Sequence, residues 1–389
     1  MGPYLDRRKL KLHPLSAREN RVRISRAAVL PGQPPREDNS RLDATAAKVA
    51  ADVRRARAAD APVVLAFGAH TIKNGMGPLL AALIETGWVT HLATNGAGII
   101  HDWEFAFGGE SSEHVGANVS AGRFGLWQET GFYLNLAIAV GAYEGLGYGE
   151  SIGALVENEG LRVPERSELE AELRAAGDGG PERERAAAAA DLLVLMERTG
   201  IEPGPLPVMH PYRRYGLQAA AYRLGVPFTS HPMFGHDIIY CHPANLGAAI
   251  GRTAERDFLS FAESISRIDG GVYISVGSAV MSPMIFEKSF SMAQNLALQA
   301  GRRIENHRIY VVDLADVQWD WRSQGEPPED DPAYYMRFLK TFSRMGGHMD
   351  YIAADNREFL LRIARDLDVG AGELPHPAGE AEGADEQSS

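Results

Sequence analysis

Between Val63 and Glu104 the chain reads VVLAFGAHTIKNGMGPLLAALIETGWVTHLATNGAGIIHDWE, and its polar residues His70, Lys73, Asn74, Asn95, His101, Asp102 and Glu104 cluster after apolar runs. Open α/β sheets bind small ligands just beyond the carboxyl ends of their strands, so two such polar turns can share one crevice. His101 and Glu104 are three residues apart at the start of a helical pattern and share a face, the arrangement of a general base held by a carboxylate. The helix dipole lowers the pKa of an imidazole at that position and Glu104 raises it, which leaves His101 near neutrality. Asp102 points elsewhere and is free to cap or hydrogen-bond a neighbouring loop.

A second group lies downstream. His231, His236 and His242, with Asp237, fall within twelve residues, in a loop punctuated by Pro, Gly and Cys. Substrate or cofactor contact through His236 and Asp237 is the first expectation. A zinc or iron site that supports a metal-assisted hydrolase or lyase is the alternative, although the spacing lacks a helical i, i+4 pair. Among 39 basic residues only Lys9, Lys11, Lys48, Lys73, Lys288 and Lys340 are lysines. Lys73, in a glycine-bearing loop, and Lys288, beside Glu287, are therefore read as ammonium groups that neutralise an anion or act as the amine.

These side chains need a scaffold with strand ends facing helix starts. Val63 to Phe67 is a continuous apolar run, as expected of a strand covered on both faces, and Gly68 ends it. Pro78 suits a first helical turn and Gly87 ends that helix; a second strand from Val89 to Thr94 runs into Asn95-Gly96-Ala97-Gly98. Glycines there let backbone approach a phosphate or nicotinamide closely. The same logic makes Ala69 and His70, Gly277 and Ser278, and Asp313 candidate cofactor contacts at other strand ends. A lead-in helix is read at Ala46 to Ala59, a long one from Phe124 to Gly145, and others through Tyr212 to Leu224 and around Phe258. Strands are read at Val226 to Thr229, Val272 to Val276 and Ile309 to Val312, with Ser282 as the N-cap of the next helix and a last helix-strand-helix unit from Pro332 to Leu367. Gly147-Tyr148-Gly149 with Gly153 follows a helical pattern and reads as a turn, because the dinucleotide fingerprint would follow a strand. Alternating elements of this kind imply an α/β, doubly wound, mostly parallel sheet.

The expected organisation is an arm over residues 1–45, a single α/β domain over 46–368 with a charged, alanine-rich helical insertion at about 160–205, and a disordered tail over 369–389. No apolar run approaches the ~18 residues of a membrane span and no secretory signal is visible, which points to a cytoplasmic protein without a membrane partner. The single Cys241 fits a reducing compartment, and a net charge of −12 argues against a nucleic-acid partner.

The order of these motifs resembles the deoxyhypusine synthase superfamily, which includes homospermidine-forming enzymes, and, less closely, the NAD-dependent ornithine cyclodeaminase domain of archaea. The matching stretches are Ala69 to Gly75, Trp88 to Thr90, Asn95 to Asp102, Val226 to Ser230 with Gly235 to Ile239, and Gly271 to Ser278. The resemblance spans about Pro62 to Ala315 in collinear order, and no single motif is specific. It implies a Rossmann-like fold, NAD, a homotetramer or at least a dimer with sites at subunit interfaces, and removal of hydride from a carbon bearing nitrogen. The chain departs from the family in two places: the stretch Val317-Gln318-Trp319-Asp320-Trp321 has no lysine where the family carries its catalytic one, and His101 replaces a glutamate. Those departures point away from a covalent imine and from modification of a protein lysine. The expectation is an NAD-dependent transferase or oxidoreductase acting on a C–N or C–O carbon of a small polar substrate, with a non-catalytic ligand-binding paralogue as a further alternative.

Overall fold

Apolar runs bounded by glycine become the buried strands of one sheet. The computed structural model describes residues 4–176, 180–317 and 319–370. In chain order its strands are β1 (Asn20–Arg23), β2 (Val63–Phe67), β3 (His91–Thr94), β4 (Glu110–Glu113), β5 (Gly160–Val163), β6 (Gly204–Pro207), β7 (Phe228–Ser230), β8 (Val272–Val276), β9 (Arg308–Asp313) and β10 (His348–Ala353). Six of them form a parallel sheet in the order β10-β9-β8-β2-β3-β7. Numbered by their own succession this is 3-2-1-4-5-6 read from the β7 edge, the doubly wound order, and the chain changes direction between β2 and β8.

Both faces of the sheet are covered. Val63, Leu65 and Phe67 join one apolar core, while Val64 and Ala66 join the other with Tyr273, Ile309 and Val311. This two-sided burial explains why the strands read as unbroken apolar runs. Phe67 is level with Thr94 on one side and Val276 on the other, so the carboxyl ends of β2, β3 and β8 finish together. Among the described residues no helix is long and apolar enough to cross a membrane.

Two small antiparallel ribbons lie outside the main sheet. β1 pairs with β4, placing Val22 opposite Ser111, and β5 pairs with β6 at the base of the insertion. The insertion is a helical hairpin, Arg166–Ala175 and Pro181–Thr199, carried on the β5–β6 ribbon.

Several element limits differ from the sequence expectation. The lead-in helix starts at Ser40 rather than Ala46, because the Asn39 side chain caps it by accepting from the Leu42 N–H, so the arm ends near residue 39. The long helix runs Gln128–Glu144, and the one expected from Tyr212 is a single tight turn followed by Leu217–Leu224. β3 begins at His91 and β7 at Phe228, each two residues late. The helix after β8 starts at Met281, and it is Ser278, not Ser282, whose hydroxyl accepts from a backbone N–H there; Ser282 instead meets the Tyr273 hydroxyl. Gly147 is the N-cap of helix Tyr148–Glu157, and Gly149 lets that helix lie against the Phe228 carbonyl. Val369, expected in the tail, is buried, and residues 371–389 lie outside the described residues.

Candidate functional site

At the carboxyl end of the sheet a cavity of about 240 Å³ is lined by Lys73, Ala97, His101, Glu104, His236 and Asp237, together with Arg18, Ile100, Ser112, Glu113, Val115, Phe124 and Ile238. Three segments deliver the polar groups. Helix Ala69–Lys73 follows β2 and ends with Lys73, helix Gly96–Gly108 follows β3 and carries His101 and Glu104, and the loop after β7 carries His236 and Asp237. Among the described residues the half-buried Lys73 has no ion-pair partner.

His101 and Glu104 do not touch directly. The Nδ1 of His101 is 2.7 Å from the Ser111 hydroxyl, which donates to Glu104 Oε2 at 2.5 Å. Glu104 also accepts from Arg18 at 2.7 Å and from the Thr130 hydroxyl at 3.1 Å, and the second Arg18 nitrogen lies 2.7 Å from Oε2. Burial on its own would raise the Glu104 pKa, but the adjacent Arg18 guanidinium outweighs it and holds the carboxyl below its usual range. Burial lowers the pKa of His101, Glu104 opposes that, and the positive charges of Lys73 and Arg18 reinforce it. The imidazole is therefore neutral at pH 7 and able to accept a proton.

Asp237 is the opposite case. It is buried and its Oδ2 has no hydrogen-bond partner among the described residues, and burial pushes its pKa up to about 7. The buried hydroxyls of Tyr148 and Tyr240 also lack partners, and the charge of Asp237 acts on both. A neutral imidazole and a carboxyl raised toward neutrality thus share one cavity.

The glycine loop after β3 serves the protein's own packing. Asn95 caps its own helix by accepting from the Gly98 N–H at 2.9 Å. A Cβ at Gly96 would lie 2.2 Å from Asp237 Oδ2, and one at Gly98 would lie 2.3 Å from the Thr94 hydroxyl. At the switch between β2 and β8 the geometry differs: a Cβ at Gly68 would sit 2.1 Å from the Gly277 carbonyl oxygen, while Gly277 itself has φ +56° and open space beside it. Ala69 and His70 open the helix that ends in Lys73, His70 is exposed, Ser278 is buried, and Asp313 closes β9 two strands away from β2.

Other expected residues lie elsewhere. Lys288 is on the exposed face of helix Met281–Gln299, 2.6 Å from Glu287, and is not brought to the cavity. The histidine metal site kept as the alternative does not assemble among the described residues. His231 Nε2 is 3.0 Å from the Thr229 hydroxyl, and His242 accepts from the Ala244 N–H at 3.0 Å with its other nitrogen 3.3 Å from Gln128, so both are engaged with protein groups. Among the described residues no group of three or more His, Cys, Asp or Glu is placed to hold a metal ion. Asp102 accepts from the Leu217 and Gln218 N–H groups, each at 2.9 Å, and caps the helix they begin.

Sequence reasoning passed over Arg18, Ser111, Glu113, Tyr148 and Tyr240. Glu113 accepts from Trp127 Nε1, Asn118 and the Gly125 N–H, fixing the wall that holds Phe124. Ser112, between Ser111 and Glu113, has φ +74°, an uncommon conformation for a residue other than glycine, and lines the cavity.

No family model matches the chain, and no curated protein sequence matches it. Among solved structures it is similar to unliganded AgrE, with TM-score 0.41 and 15% identity over 85% of this chain and 33% of that one. It is also similar to the ternary complex of AgrE with ornithine and NAD+, with TM-score 0.40 and 14% identity over 85% of this chain and 34% of that one. A LOR/SDH protein from Methanococcus maripaludis S2 gives TM-score 0.40 and 12% identity over 87% of this chain and 74% of that one. The chain thus spans about a third of the length of AgrE. None of the three is a deoxyhypusine synthase, so that narrower likeness rests on motif order alone. Similarity at this level leaves the activity to be read from the site itself.

Proposed function

We propose that this protein is an NAD-dependent enzyme that acts on a C–N or C–O carbon of a small polar substrate. The observation that carries the reading is one cavity holding Lys73, His101, His236 and Asp237, a single five-residue helix away from the glycine-lined switch between β2 and β8. A helix of that length spans about 7 Å, so a ligand at the switch and a substrate in the cavity are near neighbours. Gly68, Ala69, His70, Gly277 and Ser278 fit a dinucleotide there, because Gly277 has open space beside it and the doubly wound order opens its crevice at that point. NAD bound there would supply the hydride acceptor.

The chain's own groups do the rest. His101, neutral at pH 7, takes the proton released as the substrate carbon is oxidised. Lys73 offsets negative charge on substrate or cofactor, and Asp237 orients a polar substrate group that satisfies its unpartnered oxygen. His236 is exposed at the rim. The narrower form of the reading, a deoxyhypusine synthase-like removal of hydride from a carbon bearing nitrogen, proceeds here without a covalent imine, since the 317–321 stretch carries no lysine.

Calorimetric titration with NAD tests the cofactor. Heat with a micromolar or tighter midpoint is expected, and absence of both heat and a thermal shift at millimolar NAD overturns the reading.

A further inference from the structure

We propose that Ser111 is a positioning residue: it holds His101 in the tautomer with the proton on Nδ1 and a bare, proton-accepting Nε2, and Arg18 of the amino-terminal arm sets the direction of the chain of hydrogen bonds that does so. The assignment deepens the reading of His101 as the cavity's base and rests on it.

The direction follows from counting protons. Glu104 is buried against Arg18, whose guanidinium offers donors and no acceptor, and each of its other partners is a hydroxyl that can donate. A carboxylate only accepts, so the one hydroxyl proton of Ser111 goes to Glu104 Oε2. What remains on Ser111 Oγ toward His101, 2.7 Å away, is a lone pair, and His101 Nδ1 must be the donor. A neutral imidazole carries one N–H, which leaves Nε2 free to accept. Without Arg18 the buried carboxyl would take up a proton, the Ser111 hydroxyl could turn, and the tautomer would no longer be fixed.

The fold holds each link. Ser111 is fully buried on β4, opposite Val22 of β1, and Arg18 precedes β1 with its Nε donating to Asn20 at 2.8 Å. The ribbon that pins Ser111 therefore also delivers the cation that polarises it. Arg18 lies over the Trp127 ring, 5.6 Å from its centroid, which further limits its movement.

Nitrogen-15 resolved spectra of the histidine side chains in the ligand-free protein test the proposal, with the His101 signals assigned by their loss in His101→Gln. Expected are a protonated Nδ1 and an unprotonated Nε2 at His101, a reversal toward Nε2–H in Ser111→Ala, and restoration in Ser111→Thr, which keeps the hydroxyl. An Nε2–H ring in the unaltered protein overturns the proposal, as does a Ser111→Ala protein that retains the Nδ1–H form or a folded Ser111→Thr protein that fails to restore it. The measurement needs neither substrate nor cofactor, so its failure is separate from failure of the base reading, which turnover of His101→Gln decides.

Discussion

Two histidine groups lie at opposite ends of β3, and they spend their nitrogens differently. His91, at the start of the strand, has Nδ1 2.8 Å from Ser264 and Nε2 3.0 Å from Thr229, whose hydroxyl also meets His231, and both rings stand edge-on to Phe261. Burial pushes the pKa values of His91 and His231 down to about 3, so both are neutral, and His91, with both nitrogens engaged by protein hydroxyls, is a fixed strut. His101, in the helix after the strand, has one nitrogen tied to Ser111 while its ring lines a cavity. His91 and His101 can thus both be neutral and differ in what they leave free, since only His101 keeps a ring nitrogen without a protein partner among the described residues. A displaced pKa alone does not distinguish a site from a core.

The sharpest way to break this comparison is His101→Gln. It is expected to fold and to bind NAD as the unaltered protein does while losing about two to four powers of ten in turnover, the usual range for a general base. Steady-state rates alongside the calorimetric titration check this. Activity per folded molecule that stays unchanged would make His101 a strut like His91.

His91→Leu should behave in the reverse manner. It leaves the Thr229 and Ser264 hydroxyls short of a partner, at a cost of about 1–3 kcal/mol in unfolding free energy, with NAD binding intact in the folded fraction. Its pH dependence is specific. The native pKa of about 3 lies below the ordinary 6.5, so the unfolded chain binds protons first as acid is added. The contribution is present above 6.5 and is lost as pH falls toward 3, with a slope of up to about 1.4 kcal/mol per pH unit for each such histidine. Denaturant titrations across that range should show a shallower slope in the variant.

The smallest effect belongs to Lys288→Ala. Its pair with Glu287 is exposed, so a stability change within about 0.5 kcal/mol and an unchanged NAD titration are expected. Loss of NAD binding in that variant would bring Lys288 itself back as a ligand contact.

The parts of the molecule that were legible in its sequence share a physical cause. β2, β8 and β9 are buried on both faces and appear as unbroken apolar runs, and the polar residues just beyond β2 and β3 fall where a parallel sheet gathers ligands. The β1–β4 ribbon was not legible. NRVR and ESSE have no apolar face to betray them, and their pairing joins segments about ninety residues apart, which no local pattern records. Ser111 was passed over for that reason, and Arg18 because nothing in a charged arm distinguishes it from the exposed Arg8. Lys288 was favoured on residue type alone, and type does not specify which side of a helix faces the ligand.

The docked arm has a consequence for the order in which the molecule can be completed during synthesis. Arg18 waits 86 residues for Glu104, and Arg7, which donates to the Tyr240 carbonyl and to Asn245, waits 238 residues. A nascent chain can close the β2–β3 unit early, yet the arm that fixes the tautomer is clasped at its far end only once the 240s have left the ribosome. The clasp closes late, when an early segment meets one made more than two hundred residues after it.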